Sequence, residues 1–325
     1  MHIEISDGVF LIDTLAAGTP DLVASYLIKG EKSALVDPGY PSSANSILSE
    51  LQALSGKGFQ VDFLMPTHVH LDHAGGIGGL AEAMPNARVL VNQHGLKHLI
   101  DPSKLVATAA GLFGEKAMTV YGTPRPLHAE RLEPVGELYE LDLGAEKKLK
   151  IFSTPGHAWH HMSVFLEKER LLITGDAAGL YYSGFNFPIP ATPPPGFDEE
   201  QYVKSLTKFM NMDPAGLLLP HFGLVRENVR AFLETNVGTI RRWTSMAAET
   251  VKTGGVLWTV SSNSSWLMSR IAAGERQKRF PITSSGASSL AQWVATHTRK
   301  RERPSSERPF WDFCRDLVFA NSLST

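Results

Sequence analysis

Residues 67–76 read THVHLDHAGG, three histidines and one aspartate within six positions, closed by two glycines. The stretch follows VDFLMP (61–66), an apolar run with the length and bounding residues of a buried strand. An extended chain puts alternate side chains on one face, so a strand continued through this segment would project His68, His70 and Asp72 to one side, with His73 following on the turn. Gly75 and Gly76 then permit a tight passage from strand to helix. Imidazole and carboxylate are the donors zinc takes when thiolates are absent, and this chain has a single cysteine, Cys314, which excludes both an intramolecular disulfide and a cysteine-based zinc site. Four donors exceed what one hydrolytic metal needs from the protein, and the reading is therefore a pair of divalent ions.

Further donors stand at other strand ends. His157 lies in STPGHAWHH (153–161), Asp176 closes RLLITGD (170–176), and His221 sits in GLLLPHFG (216–223). Each of these adjoins glycine or proline where an apolar run stops. Core packing is a poor explanation for so many histidines and aspartates, because a buried imidazole or carboxylate must be paired or coordinated.

Around these positions the first third of the chain alternates short apolar runs with turn residues: VFLI (9–12), LVASYLI (22–28), SALVDPG (33–39) and ARVLVN (87–92). Helical patterns fall between them at 42–54, where Ser42 or Ser43 can cap, and at 94–100. Residues 103–122 are apolar and glycine-punctuated, which suits a helical insertion or lid. Strands return over 139–176. NFPIPATPPPGF (186–197) can be neither helix nor interior strand, since proline lacks the amide donor, and is read as a surface loop before a helix at 198–211. Strands interleaved with helices imply an α/β layered sandwich.

Beyond residue 224 long helical patterns take over, and the charge balance changes. Residues 224–325 hold 15 Lys and Arg against 8 Asp and Glu, leaving 16 against 25 for residues 1–223. The expectation is a catalytic domain at 1–223 and a helical C-terminal subdomain at 224–325.

The set HVHLDH, PGH, TGD and PHFG resembles the metallo-β-lactamase superfamily of dinuclear hydrolases, over roughly residues 8–223. The resemblance implies an αββα sandwich, here with a C-terminal helical extension. It implies that His68, His70 and His157 bind the first metal, that Asp72, His73 and His221 bind the second, and that Asp176 bridges both. It also implies a supporting position for Asp37 and a role for Asp72 in guiding the attacking water and protonating the leaving group. Two ions side by side lower the pKa of a shared water and polarise the scissile bond, so hydrolysis needs no side-chain nucleophile. Zinc is the first expectation, and the same ligands accept iron, manganese or cobalt.

Two residues outside the ligand set are candidates for catalysis. His161 stands where lactonase-like and RNA-cleaving relatives also carry histidine, and serves either the site or the surrounding structure. Tyr182, with Tyr181, Phe185 and Phe187, follows Asp176 closely; it either offers a hydroxyl to an oxyanion or anchors its loop. The basic run RKRER (299–303), the tryptophans at 243, 258, 266, 293 and 311, and Cys314 read as a solvated helix end and packing residues.

Composition narrows the partners. With 43% hydrophobic residues, a formal net charge of -2 and a pI of about 6.6, nothing global points to nucleic acid or an anionic membrane. The N-terminus lacks a basic segment before an apolar run, and no stretch approaches a membrane span, so the expectation is a cytoplasmic protein. The absent export signal argues against a periplasmic β-lactamase, and His70 together with the lack of a flavodoxin-like half argues against a flavin-linked oxidoreductase. The apolar insertion and the aromatic loop favour a small, partly apolar carbonyl substrate such as a lactone or ester. RNA or phosphodiester hydrolysis, and a regulatory protein that retains the metal fold, stay as alternatives. A homodimer is compatible with the helical extension.

Overall fold

The computed structural model describes residues 1–56, 58–182, 187–193 and 196–252, and beyond them the strands within 257–280. RKRER, the tryptophans beyond 252, Phe185 and Cys314 lie outside the residues whose side chains are described.

Two sheets face one another. The first takes β1 (His2–Ser6), β2 (Val9–Asp13), β3 (Ala24–Lys29), β4 (Ser33–Val36), β5 (Phe63–Met65), β6 (Arg88–Asn92) and β7 (Leu132–Val135) in that spatial order. Its strands pair antiparallel from β1 to β4 and parallel from β4 to β7. The second sheet comprises β8 (Leu138–Asp142), β9 (Lys148–Ser153), β10 (Met162–Leu166), β11 (Leu171–Ile173), β12 (Gly216–Leu219) and β13 (Gly223–Val225), in sequential order across the sheet. Only β11 and β12 are parallel there.

Period-two alternation sorts the side chains into three layers of core. Between the sheets lie Tyr26, Ile28, Val36 and Met65 against Ile151, Val164, Ile173 and Leu218. Their neighbours Leu27, Leu35 and Leu64 point outward, where α1 (Ala44–Ser55) and α3 (Ile77–Ala83), on either side of the short α2 (Leu71–Ala74), bury Ile47, Leu51, Ile77 and Leu80. On the far face of the second sheet Leu172, Leu217 and Leu219 pack with Tyr202, Leu206 and Phe209.

The remaining helices are α4 (Leu96–Ile100), α5 (Ser103–Phe113), α6 (Glu115–Tyr121), α7 (Glu199–Met212) and α8 (Val229–Lys252). The segment expected as a helical insertion is thus α5 and α6. Asp198 caps α7 by accepting the Gln201 N–H at 2.9 Å, whereas Ser43 precedes α1 without a side-chain cap. The sandwich is therefore helix, sheet, sheet, helix, as the motifs imply. No helix among the described residues is long and apolar enough to cross a membrane.

By its internal contacts the chain separates into two compact units, the first reaching Ile240 and the second beginning at Arg241. The reason is packing: Val225, Phe232, Leu233 and Ile240 complete the outer core of the second sheet, so β13 and the first half of α8 belong to it. The region beyond is not wholly helical. After α8 come β14 (Leu257–Val260), β15 (Trp266–Arg270) and β16 (Lys278–Phe280), an antiparallel three-stranded sheet. LWTV combines β-branched and aromatic residues that suit extended backbone.

Candidate metal centre

The strand expected to carry three donors stops early. β5 ends at Met65, His70 is still extended at φ -73, ψ 159, and Asp72 and His73 ride on the single turn of α2. Helical rather than strand geometry therefore separates His70 from Asp72 and His73. This turn is pressed onto residues 38–41. A Cβ on Gly76 would meet the Pro38 carbonyl oxygen at 2.3 Å, one on Gly75 the Pro41 ring at 2.6 Å, and the Gly76 N–H donates to Gly39 O at 2.8 Å. Glycine is required at both positions by this close approach.

Seven side chains converge. His68 Nε2, His70 Nδ1 and His157 Nε2 lie 2.8, 3.0 and 3.2 Å apart in pairs. On the other side His221 Nε2 and His73 Nε2 stand 3.4 and 3.7 Å from Asp72 Oδ2. Asp176 lies between: its Oδ2 is 3.4 Å from His157 Nε2, and its Oδ1 is 3.5 Å from both His73 Nε2 and His221 Nε2. His68, His70 and His157 form one group able to hold a metal ion, and Asp72, His73 and His221 another. His70 alone of the seven is partly exposed, which marks the side on which the site opens.

Three of the five imidazoles, His68, His157 and His221, are held by a hydrogen bond at the nitrogen turned away from the centre, the arrangement expected of metal-ligating histidines. His157 Nδ1 donates to Ala191 O at 3.1 Å, and His221 Nδ1 to Leu22 O at 3.1 Å. Asp37 accepts from the Thr67 N–H at 2.7 Å and the Thr67 hydroxyl at 3.1 Å, and lies 3.1 Å from His73 Nδ1. With its proton committed to Asp37, Thr67 Oγ1 accepts from His68 Nδ1 at 3.1 Å. Unprotonated nitrogens are thereby aimed inward.

Such a set fits cations. Three converging imidazole lone pairs repel one another unless a positive charge lies among them. Both Asp176 oxygens and His221 Nε2 are buried without a hydrogen-bond partner, which costs free energy in the absence of an ion. Protein electrostatics carries the same signature. Burial, reinforced by neighbouring imidazoles, holds His68 and His157 well below the ordinary histidine value and takes His70 down to about 4. His73 goes the other way: against its burial, the charges of Asp176, Asp37 and Asp72 push it up to about 10. The acidic side of the centre draws in a proton where it lacks a metal. Burial raises Asp176 in the same sense.

The other candidates separate. His161 is fully buried; its Nε2 accepts the Asp176 N–H at 3.0 Å and its Nδ1 pairs with Thr154 Oγ1 at 2.8 Å. Both nitrogens are used within the protein, an arrangement in which His161 orients Asp176. Tyr182 reaches the centre, its hydroxyl 3.2 Å from His221 Nδ1. Tyr181 instead turns outward onto Phe232, ring centroids 5.4 Å apart.

Sequence patterns gave no sign of Tyr40 and Tyr121, whose rings stack at 4.4 Å and an interplanar angle of 12°. They belong to an apolar wall with Val23, Leu71, Ala109 and Met118, next to Asp72. Tyr121 ends α6, so its presence in the 103–122 segment was the available signal. The carbonyls of Leu22 and Ala191 carry no side-chain signature at all.

The metallo-beta-lactamase superfamily model matches residues 18–221. Protein ST1585 of Sulfurisphaera tokodaii, a metallo-beta-lactamase fold-containing protein, is 30% identical over 214 residues, covering 65% of this chain and 76% of that one. Its crystal structure superposes with a TM-score of 0.60 over 72% of this chain and 86% of that one. "Probable metallo-hydrolase MJ0888" of Methanocaldococcus jannaschii is 32% identical over 49% of this chain and 69% of its own length. The family protein TTHA1429 of Thermus thermophilus shares the fold at a TM-score of 0.62 and 22% identity, over 78% of this chain and 85% of that one.

Proposed function

Because the chain belongs to the metallo-beta-lactamase superfamily and has metallo-hydrolases among its relatives, we propose that it is a two-metal hydrolase of a small, partly apolar lactone or ester. His68, His70 and His157 would hold one ion, Asp72, His73 and His221 the other, and Asp176 both. The observation that carries the two-metal reading is the division of Asp176, one oxygen toward each cluster with neither bonded to protein. The donors are nitrogen and oxygen only, the set zinc shares with iron, manganese and cobalt.

Two ions bound there supply Lewis acidity, polarising a carbonyl oxygen and acidifying water at neutral pH. The chain supplies the rest. Asp72, a buried carboxylate that its imidazole neighbours keep ionised in spite of burial, would hold the second ion through Oδ2 and use its other oxygen to take up a proton and return it to the leaving group. Tyr182 contributes a donor. The single Nδ1–H of His221 serves Leu22 O and the phenolic oxygen of Tyr182, so Tyr182 accepts there and keeps its own proton. Burial raises the phenol far above its ordinary value, and it stays protonated to donate to a developing oxyanion. The stacked Tyr40 and Tyr121 exclude water beside Asp72 and offer an apolar face to an acyl chain.

The test is turnover by the metal-analysed protein of an acyl-homoserine lactone, an aryl ester, a glutathione thioester, a cephalosporin and bis-p-nitrophenyl phosphate, with His70→Ala as control. Lactone or ester turnover that depends on His70 supports the reading. Phosphodiester cleavage alone transfers it to a phosphodiesterase.

A further inference from the structure

We infer that the rim built by Lys97, His98, Lys104 and Trp159 beside the first metal cluster is a subsite for an oxyanion, a carboxylate or phosphate carried by the substrate; this rests on the hydrolase reading above.

Its position follows from the backbone. Gly95, just before α4, sits against Val69, the residue between His68 and His70, and a Cβ there would meet Val69 Cγ1 at 2.9 Å. The missing side chain lets α4 lie directly on the ligand segment. From the other side the turn after His157 brings Trp159 and His160. The His160 ring lies 6.0 Å from that of His70 and 5.2 Å from Trp159, and His98 is 6.2 Å from His160. The rim therefore borders His70, on the open side of the centre.

Its chemistry is cationic and aromatic. Trp159 is 48% exposed, with Lys97 Nζ 5.6 Å from its ring centroid and the His94 ring 5.4 Å away. Burial, then the ammonium groups of Lys97 and Lys104, hold His98 below its ordinary value, and Lys104 stands in the first turn of α5 (Ser103–Phe113), directly after α4. Among the described residues no carboxylate pairs with Lys97 or Lys104. Asp101, between α4 and α5, instead accepts the Ser103 N–H at 3.0 Å. Yet residues 1–223 carry 25 acidic against 16 basic residues. Unpaired lysines beside a half-exposed tryptophan, in a domain that is otherwise acidic, make a local positive field at the mouth, and such fields draw in anionic ligands. A packing role explains neither the free charges nor the tryptophan surface left in water. The site then recognises a substrate at two points: the scissile carbonyl at the metals and an oxyanion at the rim.

The experiment compares the metal-loaded full chain with its Lys97→Met/Lys104→Met and Trp159→Phe forms on two p-nitrophenyl esters, the neutral butyrate and the glutarate monoester. In the double variant KM for the glutarate ester should rise about tenfold, as for loss of a charge-assisted contact, with KM for the butyrate unchanged. Equal changes on the two esters, or none, overturn the inference. A direct readout separates it from the hydrolase reading. The fluorescence difference between wild type and Trp159→Phe should be quenched saturably by glutarate or by inorganic phosphate, and not in the double variant; which anion quenches distinguishes carboxylate from phosphate. Quenching without ester turnover keeps the rim and refutes esters as substrates. No quenching by either anion overturns the rim whatever the turnover.

Discussion

Replacing Asp37 by asparagine changes one atom and should disturb both metal clusters at once. Asp37 sits at φ 54, a conformation asparagine shares, so the backbone has no reason to move. The Thr67 N–H, fixed by the chain and 2.7 Å from Oδ1, would claim the amide oxygen of the new side chain, leaving the NH2 group where Oδ2 now accepts. That NH2 faces the Thr67 hydroxyl at 3.1 Å and His73 Nδ1 at 3.1 Å. Thr67 must then accept from it and donate to His68, which forces the His68 proton onto Nε2, toward the first cluster. His73 must likewise present Nδ1 as acceptor and carry its proton on Nε2, toward the second. One ligand on each side is lost in its working tautomer. Loss of such an orienting partner typically costs about 10–100-fold in metal affinity, or roughly 1.4–2.7 kcal/mol. Chelator competition with metal analysis measures it, and circular dichroism verifies the fold. Two ions bound with wild-type affinity would refute the tautomer argument.

Other outcomes follow from the same geometry. In metal-free protein His68, His157 and His161 are held low by burial, with His70 at about 4 and His160 at about 3, so below pH 6.5 the unfolded chain binds protons that the folded one refuses. Each such group removes about 1.4 kcal/mol per pH unit as pH falls, while His73, raised to about 10 despite its burial, loses its contribution as pH climbs above 6.5. The chelated protein should therefore melt highest near pH 6.5; a melting temperature flat between pH 7 and 5 contradicts this. Tyr182→Phe should lower kcat on an ester roughly tenfold or more by removing the oxyanion donor, with metal content intact; unchanged kcat would remove Tyr182 from the chemistry. Gly76→Ala forces a Cβ to 2.3 Å from the Pro38 oxygen and should cost about 1–3 kcal/mol, read as a drop of several degrees in thermal melting.

The donors were legible because each needs a polar side chain at the end of an apolar run, a contrast that sequence displays directly. The layered sandwich was legible for a related reason, since Tyr26, Leu27 and Ile28 alternate between two cores as their period requires. Other parts were not. The turn to helix at Leu71 was hidden because His70 and Asp72 stand two apart, a spacing compatible with a strand, and only the contact of Gly75 and Gly76 with residues 38–41 decides it. The acceptors that set the histidine tautomers are in part main-chain oxygens of Leu22 and Ala191, which any residue supplies. The chain position of His161 left a site role and a structural one open, and the Asp176 N–H that its Nε2 accepts is a main-chain partner that no side-chain pattern displays. The boundary inside α8 is not written in the helical pattern, which runs on to Lys252, whereas Phe232, Leu233 and Ile240 are the residues that join the outer core of the second sheet.

The seven donors are shared unequally between the two sheets. Four of them occupy 68–73 after β5, and the rest follow β9, β11 and β12 of the other sheet. A nascent chain that has emerged through residue 76 already holds His68, His70, Asp72 and His73 within reach of one another. It has neither Asp176 nor His157 and His221, which arrive with the second half. The order of synthesis therefore becomes an order of assembly: a cation captured early could have only a local, exchangeable shell, and retention waits until the halves dock. Ions held as proposed would each fasten one half of the sandwich to the other across a long span of chain, and their departure rate would report how often those halves part.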